Sequence, residues 1–233
     1  MSKFIAEIHL IIYPKDEGLL RKNINEITSL MSTSIAPHSI HSAKVMATNT
    51  TTGNYKRQPM LTFYVTNVDK ESIINITIKT KEILGNYGIH VLRAKSEIQL
   101  SDKNHCITVT DDEYLECHMK IDKNIPSKAR YTELANILIK YGVHLLINYG
   151  STTVAPVTTM RCYNIDYKSF KKINDMVEKE LSNNGFSIFK KHIEHGIYDD
   201  NVYTDEGWLF NGKDYKNSIT EIDCKERLEI PVM

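Results

Sequence analysis

Hydrophobic and polar residues alternate along several short segments of the chain, and the segments between them repeat hydrophobic positions every three to four residues. In the segment 4–13, Ala6 and Ile8 share one face while Glu7 and His9 share the other. A period of two predicts a β-strand, and a period near 3.6 predicts an amphipathic helix. The first half is therefore predicted to contain strand 4–13, helix 16–32, strand 40–48, strand 59–66, helix 69–86 and strand 89–99.

The second half shows the same order of patterns. It is predicted to contain strand 113–122, helix 127–141, strand 143–149, strand 156–163, helix 166–183 and strand 186–196. The order βαββαβ is typical of the ferredoxin-like arrangement, an antiparallel sheet with two helices on one face. We therefore expect an α+β protein of two tandem ferredoxin-like repeats, 1–100 and 113–196, joined by a linker 101–112. Residues 197–233 are expected to form a C-terminal extension packed on the second repeat.

An internal repeat supports this division. Residues 59–97 align with 156–194 without a gap, and ten of the 39 positions are identical, against roughly two or three expected from average composition. Asp69 and Asp166 fall where a carboxylate caps the start of a helix, and Gly88 and Gly185 fall where a left-handed residue ends one. A second match pairs Glu7 and His9 with Glu116 and His118, so the whole strand–helix unit is predicted to be duplicated.

Polar side chains gather on the predicted helix-free face of each sheet. The face of the first repeat is predicted to carry Glu7, His9, Thr62, Tyr64, Arg93, Lys95 and Glu97. That of the second is predicted to carry Glu116, His118, Lys120, Thr159, Arg161, His192 and Glu194. A water-exposed sheet face explains such residues equally well. Recurrence of the histidine and both glutamates in the two repeats favours a binding or catalytic site instead.

Charge and composition narrow the choice of ligand. The chain carries 29 basic and 29 acidic residues, so no overall positive field favours duplex DNA or an anionic membrane. No apolar run approaches the roughly 20 residues of a membrane span, and a cytoplasmic location is the expectation. If the helix-free faces turn toward each other, they enclose a cleft in which Arg93, Lys95, Lys120 and Arg161 bind a small anionic ligand or nucleotide.

The two-lobed plan with one strand-borne histidine in each lobe resembles the 2H, or LigT-like, phosphoesterases. The resemblance implies cleavage of a cyclic phosphate or small nucleotide, with His9 and His118 as acid and base. The residues two positions after these histidines are Ile11 and Lys120, whereas the family has Thr or Ser there. Thr62 and Thr159 on neighbouring strands are the candidates for the missing hydroxyls. A hydrolase of the phosphodiesterase class, without a cofactor, is thus the predicted function.

Two further interpretations stay open. Two histidines and two glutamates, His9, Glu97, His118 and Glu194, resemble the divalent transition-metal site of vicinal-oxygen-chelate enzymes. A non-catalytic protein that sequesters an anionic metabolite needs the basic residues but neither histidine.

The acidic segment that begins after Tyr198 and includes Asp199 and Asp205 lacks the ligand spacing of an EF-hand loop. It is interpreted as a solvated turn at the rim of the site, with Tyr198 as a candidate ligand contact.

Overall fold

A computed structural model describes residues 4–50, 54–100, 107–109, 112–122, 125, 128–148 and 155–209. The chain divides into two compact units. Unit one comprises residues 1–48, 55–99 and 196–204, and unit two comprises 49–54, 100–195 and 205–233. The described part holds eight strands and four helices, which confirms the α+β class.

Unit one is built from four strands and two helices. They are β1 (Phe4–Ile12), α1 (Glu17–Ser34), β2 (Ser39–Thr50), β3 (Arg57–Val68), α2 (Lys70–Asn86) and β4 (Val91–Leu100). The strands lie in the order β4-β1-β3-β2, and β1 is antiparallel to both of its neighbours. The first and last strands therefore lie side by side, as the ferredoxin-like arrangement predicts.

Unit two repeats this order. Its elements are β5 (Tyr114–Ile121), α3 (Lys128–Ile139), β6 (His144–Asn148), β7 (Ala155–Cys162), α4 (Tyr167–Asn183) and β8 (Ile188–Asp199), of which residues 196–199 fall in unit one. Its strand order is β8-β5-β7-β6, with β7 antiparallel to β5 and β6.

The core of each unit follows from the alternation along its strands. In β1, Ala6, Ile8 and Leu10 are completely buried, while α2 packs on β1 and β3. Unit two buries Leu115 and Met119 of β5, and α4 packs on that strand. Burial of each large apolar side chain contributes about 1.5–3 kcal/mol. This apolar layer fixes strand parity, and so directs Glu7 and His9 to the opposite face.

Local signals at the helix starts account for several of the repeated identities. Asp69 and Asp166 accept hydrogen bonds from the backbone amides of Ser72 (2.8 Å) and Ser169 (2.9 Å), which satisfies a free N–H of each first turn. The side chain of Asp166 also accepts from the Ser169 hydroxyl. Both predicted caps are confirmed.

The repeated glycines and asparagines adopt matching backbone conformations. Gly88 and Gly185 have φ values of 71° and 75°, in the left-handed region where a β-carbon is unfavourable. Asn67 and Asn164 also have positive φ, two residues before the capping aspartates. The predicted glycine ends of α2 and α4 are confirmed.

The compact units differ from the predicted repeats at their ends. Residues 196–204 belong to unit one, whereas the whole segment 197–233 was expected on the second repeat. Part of the predicted linker pairs with unit two, because the amide of Val109 donates to the carbonyl of Ile165. Residues 210–233 lie outside the described residues. Within the described part, no helix is both long and apolar enough to cross a membrane.

Candidate functional site

Strand register brings His9 of unit one beside Thr62. The two residues are direct partners across β1 and β3, and the imidazole Nδ1 lies 2.9 Å from the Thr62 hydroxyl oxygen. A hydroxyl both donates and accepts, so Thr62 suits either tautomer of the ring. The threonine is fully buried and the histidine side chain is 13% exposed. One edge of the imidazole is thereby fixed, and the other faces carboxylates.

Two carboxylates from different strands approach the Nε2 atom of His9. Glu97 of β4 places Oε2 at 3.2 Å, and Glu7 of β1 places Oε1 at 3.8 Å. The ammonium of Lys95 donates to the other oxygen of Glu97 at 2.7 Å. We call the group Glu7, His9, Thr62, Lys95 and Glu97 the His9 cluster.

Unit two contains the same arrangement around His118. Its Nδ1 lies 2.9 Å from the hydroxyl oxygen of Thr159, which is its partner on β7. Its Nε2 lies 3.0 Å from Glu116 Oε1 and 3.6 Å from Glu194 Oε2. The guanidinium of Arg161 donates from Nε to the second oxygen of Glu116 at 2.6 Å. We call the group Glu116, His118, Thr159, Arg161 and Glu194 the His118 cluster.

Arg161 is held on several sides. Its guanidinium lies over the Tyr114 ring at 4.2 Å, and its Nη1 is 3.1 Å from the Asp205 carboxylate. Burial alone would lower the pKa of Arg161, but Glu116 above all, with Tyr114, Tyr163 and Asp205, raises that pKa well above its ordinary value. Arg161 is therefore a permanent buried cation.

In unit one, Arg93 is paired with Asp199, as Arg161 is with Asp205 in unit two. It donates from Nε to Asp199 at 2.8 Å, forms a second contact with the other oxygen of that carboxylate, and reaches the Thr204 hydroxyl. The side chains of Asp199 and Asp205 are 4% and 1% exposed. The interpretation of their segment as a solvated turn is therefore wrong, because both carboxylates are buried partners of arginines. Strand parity does not predict their burial, since Asp199 is the last residue of β8 and Asp205 follows that strand.

The remaining predicted site residues are half-buried. Tyr64 lies opposite Glu7 on β3, and Lys120 lies two residues after His118 on β5. His192 lies two residues before Glu194 on β8. Tyr198 belongs to unit one, and burial, then Asp200 and Asp199, raise the pKa of its hydroxyl. The cleft expected between the repeats stays a prediction.

A separate cavity of about 270 Å³ lies in unit two, next to the start of α3. Arg130 lies over the Phe186 ring at 4.1 Å there, and Asp122 also lines the cavity. None of the predicted site residues lines it.

Comparison with known proteins gives weak structural similarities. No family model matches the chain, and no curated protein is similar to it. A candidate monooxygenase from Fusobacterium nucleatum is 11% identical, with a TM-score of 0.34, over 91% of this chain and 98% of that one. A candidate chlorite dismutase is 8% identical, with a TM-score of 0.29, over 84% and 95%. A heme-binding protein from Thermus thermophilus is 11% identical, with a TM-score of 0.25, over 84% and 92%.

The phosphodiesterase prediction, and with it the hydrolase class, is wrong. None of these three structures is described as a phosphodiesterase. The geometry removes the physical basis as well, because Arg93 and Arg161 are paired with buried carboxylates. A phosphate beside either histidine would face two carboxylates. The predicted anionic ligand, which no comparison tests, loses the guanidinium groups that were to bind it.

The structure also limits the choice of cofactor. Among the residues that it describes, no group of three or more His, Cys, Asp or Glu side chains is arranged to hold a metal ion. This gives no support to the metal site of His9, Glu97, His118 and Glu194. The expected absence of a cofactor stays a prediction. Both nitrogens of His9 and of His118 face hydroxyl or carboxylate oxygens, which does not fit an axial heme ligand.

Proposed function

We propose that the protein binds a small molecule carrying a primary ammonium group, at the His9 cluster and at the His118 cluster. The observation that carries the proposal is the convergence of two carboxylate oxygens on one imidazole Nε2. The distances are 3.2 and 3.8 Å around His9, and 3.0 and 3.6 Å around His118.

Charge and hydrogen-bonding capacity favour an ammonium group. It has three N–H donors and no acceptor, and two carboxylates with an imidazole lone pair supply three acceptors. The longer distance in each cluster, 3.8 or 3.6 Å, exceeds a hydrogen bond, so that carboxylate can accept from an ammonium group without giving up a hydrogen bond to Nε2. Lys95 and Arg161 each share a carboxylate already, which favours a monovalent ligand over a divalent metal ion.

The threonine hydroxyls allow each imidazole to respond to the ligand. Without an ammonium group, a proton on Nε2 faces the nearer carboxylate, and Nδ1 accepts from Thr62 or Thr159. When an ammonium group donates to Nε2, the ring proton moves to Nδ1 and is donated to the same threonine. Ligand binding therefore changes the tautomer of the histidine without leaving a nitrogen unpaired.

We further infer that the two units derive from one ancestral repeat. The histidine–threonine distance is 2.9 Å in both, and each unit has an aspartate cap before its second helix. These contacts connect residues that the ungapped alignment pairs, such as Thr62 with Thr159 and Asp69 with Asp166.

The experiment is a titration of ¹⁵N-histidine-labelled protein with n-butylammonium chloride at pH 7.5, followed by imidazole ¹⁵N chemical shifts. His9→Asn and His118→Asn assign the two sets of signals. Charged hydrogen bonds worth about 1.5–3 kcal/mol each predict a dissociation constant on the order of 1 mM. We expect the Nε2 signals of both histidines to change from donor to acceptor values.

Matched probes separate recognition from general ionic effects. Tetramethylammonium has the same charge but no N–H donor, and sodium phosphate tests the opposite charge; neither should change the tautomers. His90 faces a single carboxylate, that of Asp16, and its signals should stay constant. The proposal fails if about 10 mM butylammonium leaves the ¹⁵N signals of both imidazoles unchanged, or if phosphate produces the same change.

A further inference from the structure

The two carboxylates around His9 differ in burial and in partner. Glu97 is 1% exposed, is bound by Lys95 and lies nearer to Nε2. Glu7 is 19% exposed and lies farther away. In unit one, the last strand thus supplies the inner carboxylate and the first strand supplies the outer one.

The order is reversed around His118. Glu116 of the first strand is 2% exposed, is bound by Arg161 and lies nearer to Nε2. Glu194 of the last strand is 10% exposed and lies farther away. Burial, distance and the position of the bound cation give the same ranking in each unit.

We infer that the two carboxylates exchange roles between the units. The inner carboxylates, Glu97 and Glu116, are positioning residues that fix the imidazole. The outer carboxylates, Glu7 and Glu194, are the contacts that select the ligand. This assignment rests on the proposed binding of an ammonium group. It adds which strand of each unit supplies the carboxylate that contacts the ligand.

The exchange has a cause in the sequence. Strand register places Tyr64 opposite Glu7 in unit one and Arg161 opposite Glu116 in unit two. Residues two apart on a strand share a face, so Lys95 lies on the same face as Glu97. The aligned position in unit two holds His192. The inner carboxylate is therefore the one beside the long basic side chain. That basic side chain lies on the last strand in unit one and on the third strand in unit two.

Four isosteric variants test the assignment: Glu7→Gln, Glu97→Gln, Glu116→Gln and Glu194→Gln. We expect each outer variant to weaken butylammonium binding at its own histidine by about tenfold or more, because one charged hydrogen bond is lost. The other unit serves as the internal control. Each outer variant should leave the ligand-free ¹⁵N signals close to those of the wild type.

Each inner variant should change the ligand-free signals, because the negative charge nearest to Nε2, at 3.2 Å in unit one and 3.0 Å in unit two, is lost. Urea unfolding is measured beside the spectra, and the inner variants should be the less stable ones, since a buried Lys95 or Arg161 loses one charged partner. The assignment is overturned if Glu7→Gln disturbs the ligand-free His9 signals or the stability as much as Glu97→Gln does. If the wild type binds no butylammonium, the proposed function fails, and the ligand-free spectra and stabilities still decide which carboxylate positions each imidazole.

Discussion

Replacing Arg161 with methionine removes the cation from a buried group of charges in unit two. The guanidinium contacts Glu116 at 2.6 Å and Asp205 at 3.1 Å, and these side chains are 2% and 1% exposed. Methionine preserves much of the length and the contact with the Tyr114 ring, but it has no charge. Two buried carboxylates are then left without this partner.

The expected loss is large for one substitution. Removing one partner of a buried ion pair costs about 3–5 kcal/mol, because the remaining charge is desolvated without compensation. The lost cation–π contact with Tyr114 adds about 0.5–1 kcal/mol, and the thioether recovers part of it. We expect the free energy of unfolding to fall by about 4 kcal/mol, which moves the urea midpoint by roughly 2 M.

Urea unfolding followed by tryptophan fluorescence measures this loss in the relevant unit, because the single tryptophan, Trp208, belongs to unit two. Lys171→Met is the matched control in the same unit, since Lys171 is 38% exposed and its i,i+4 pair with Asp175 is worth about 0.3–0.5 kcal/mol. Adding Glu116→Gln to Arg161→Met should restore part of the loss. A decrease below about 1 kcal/mol for Arg161→Met would refute the reasoning that this charge is buried and paired.

Two further predictions concern a helix cap and the His9 cluster. Asp166→Ala should cost about 1 kcal/mol at pH 7. Burial raises the pKa of Asp166, but hydrogen bonds from Ser169 bring that pKa below the ordinary 3.8. The stability that this cap gives the wild type is therefore lost as pH falls through the lower folded value. Acid titration of both proteins should show the difference between their free energies of unfolding shrinking. Thr62→Val should weaken binding at His9 by about 2- to 10-fold and leave His118 unchanged, and an equal loss at both histidines in the NMR titration would count against a local role for the hydroxyl.

The sequence was sufficient to predict what depends on local periodicity. Alternation in β1 and β5 placed His9 and His118 on the helix-free face, and the ungapped alignment paired Thr62 with Thr159. Antiparallel register brings each threonine beside its histidine. The histidine–threonine pair at the centre of each cluster therefore follows from strand parity and strand order, both of which the sequence pattern predicts.

The partners of the arginines could not be predicted in this way. Asp199 and Asp205 come from the segment after the repeats, and nothing in its local pattern distinguishes a buried carboxylate from a solvated one. Arg93 and Arg161 were consequently interpreted as ligand-binding cations. Burial of the polar face depends on contacts between residues distant in sequence, which alternation along a single strand does not report.

Residues 199–205 have a practical meaning for anyone who shortens this protein. The repeats alone suggest a boundary near residue 196, yet a chain ending there would lack Asp199 and Asp205, one buried carboxylate partner each of Arg93 and Arg161. Loss of folding in such a chain would report the missing carboxylates and not the need for a ligand. A shortened chain should retain both Asp199 and Asp205.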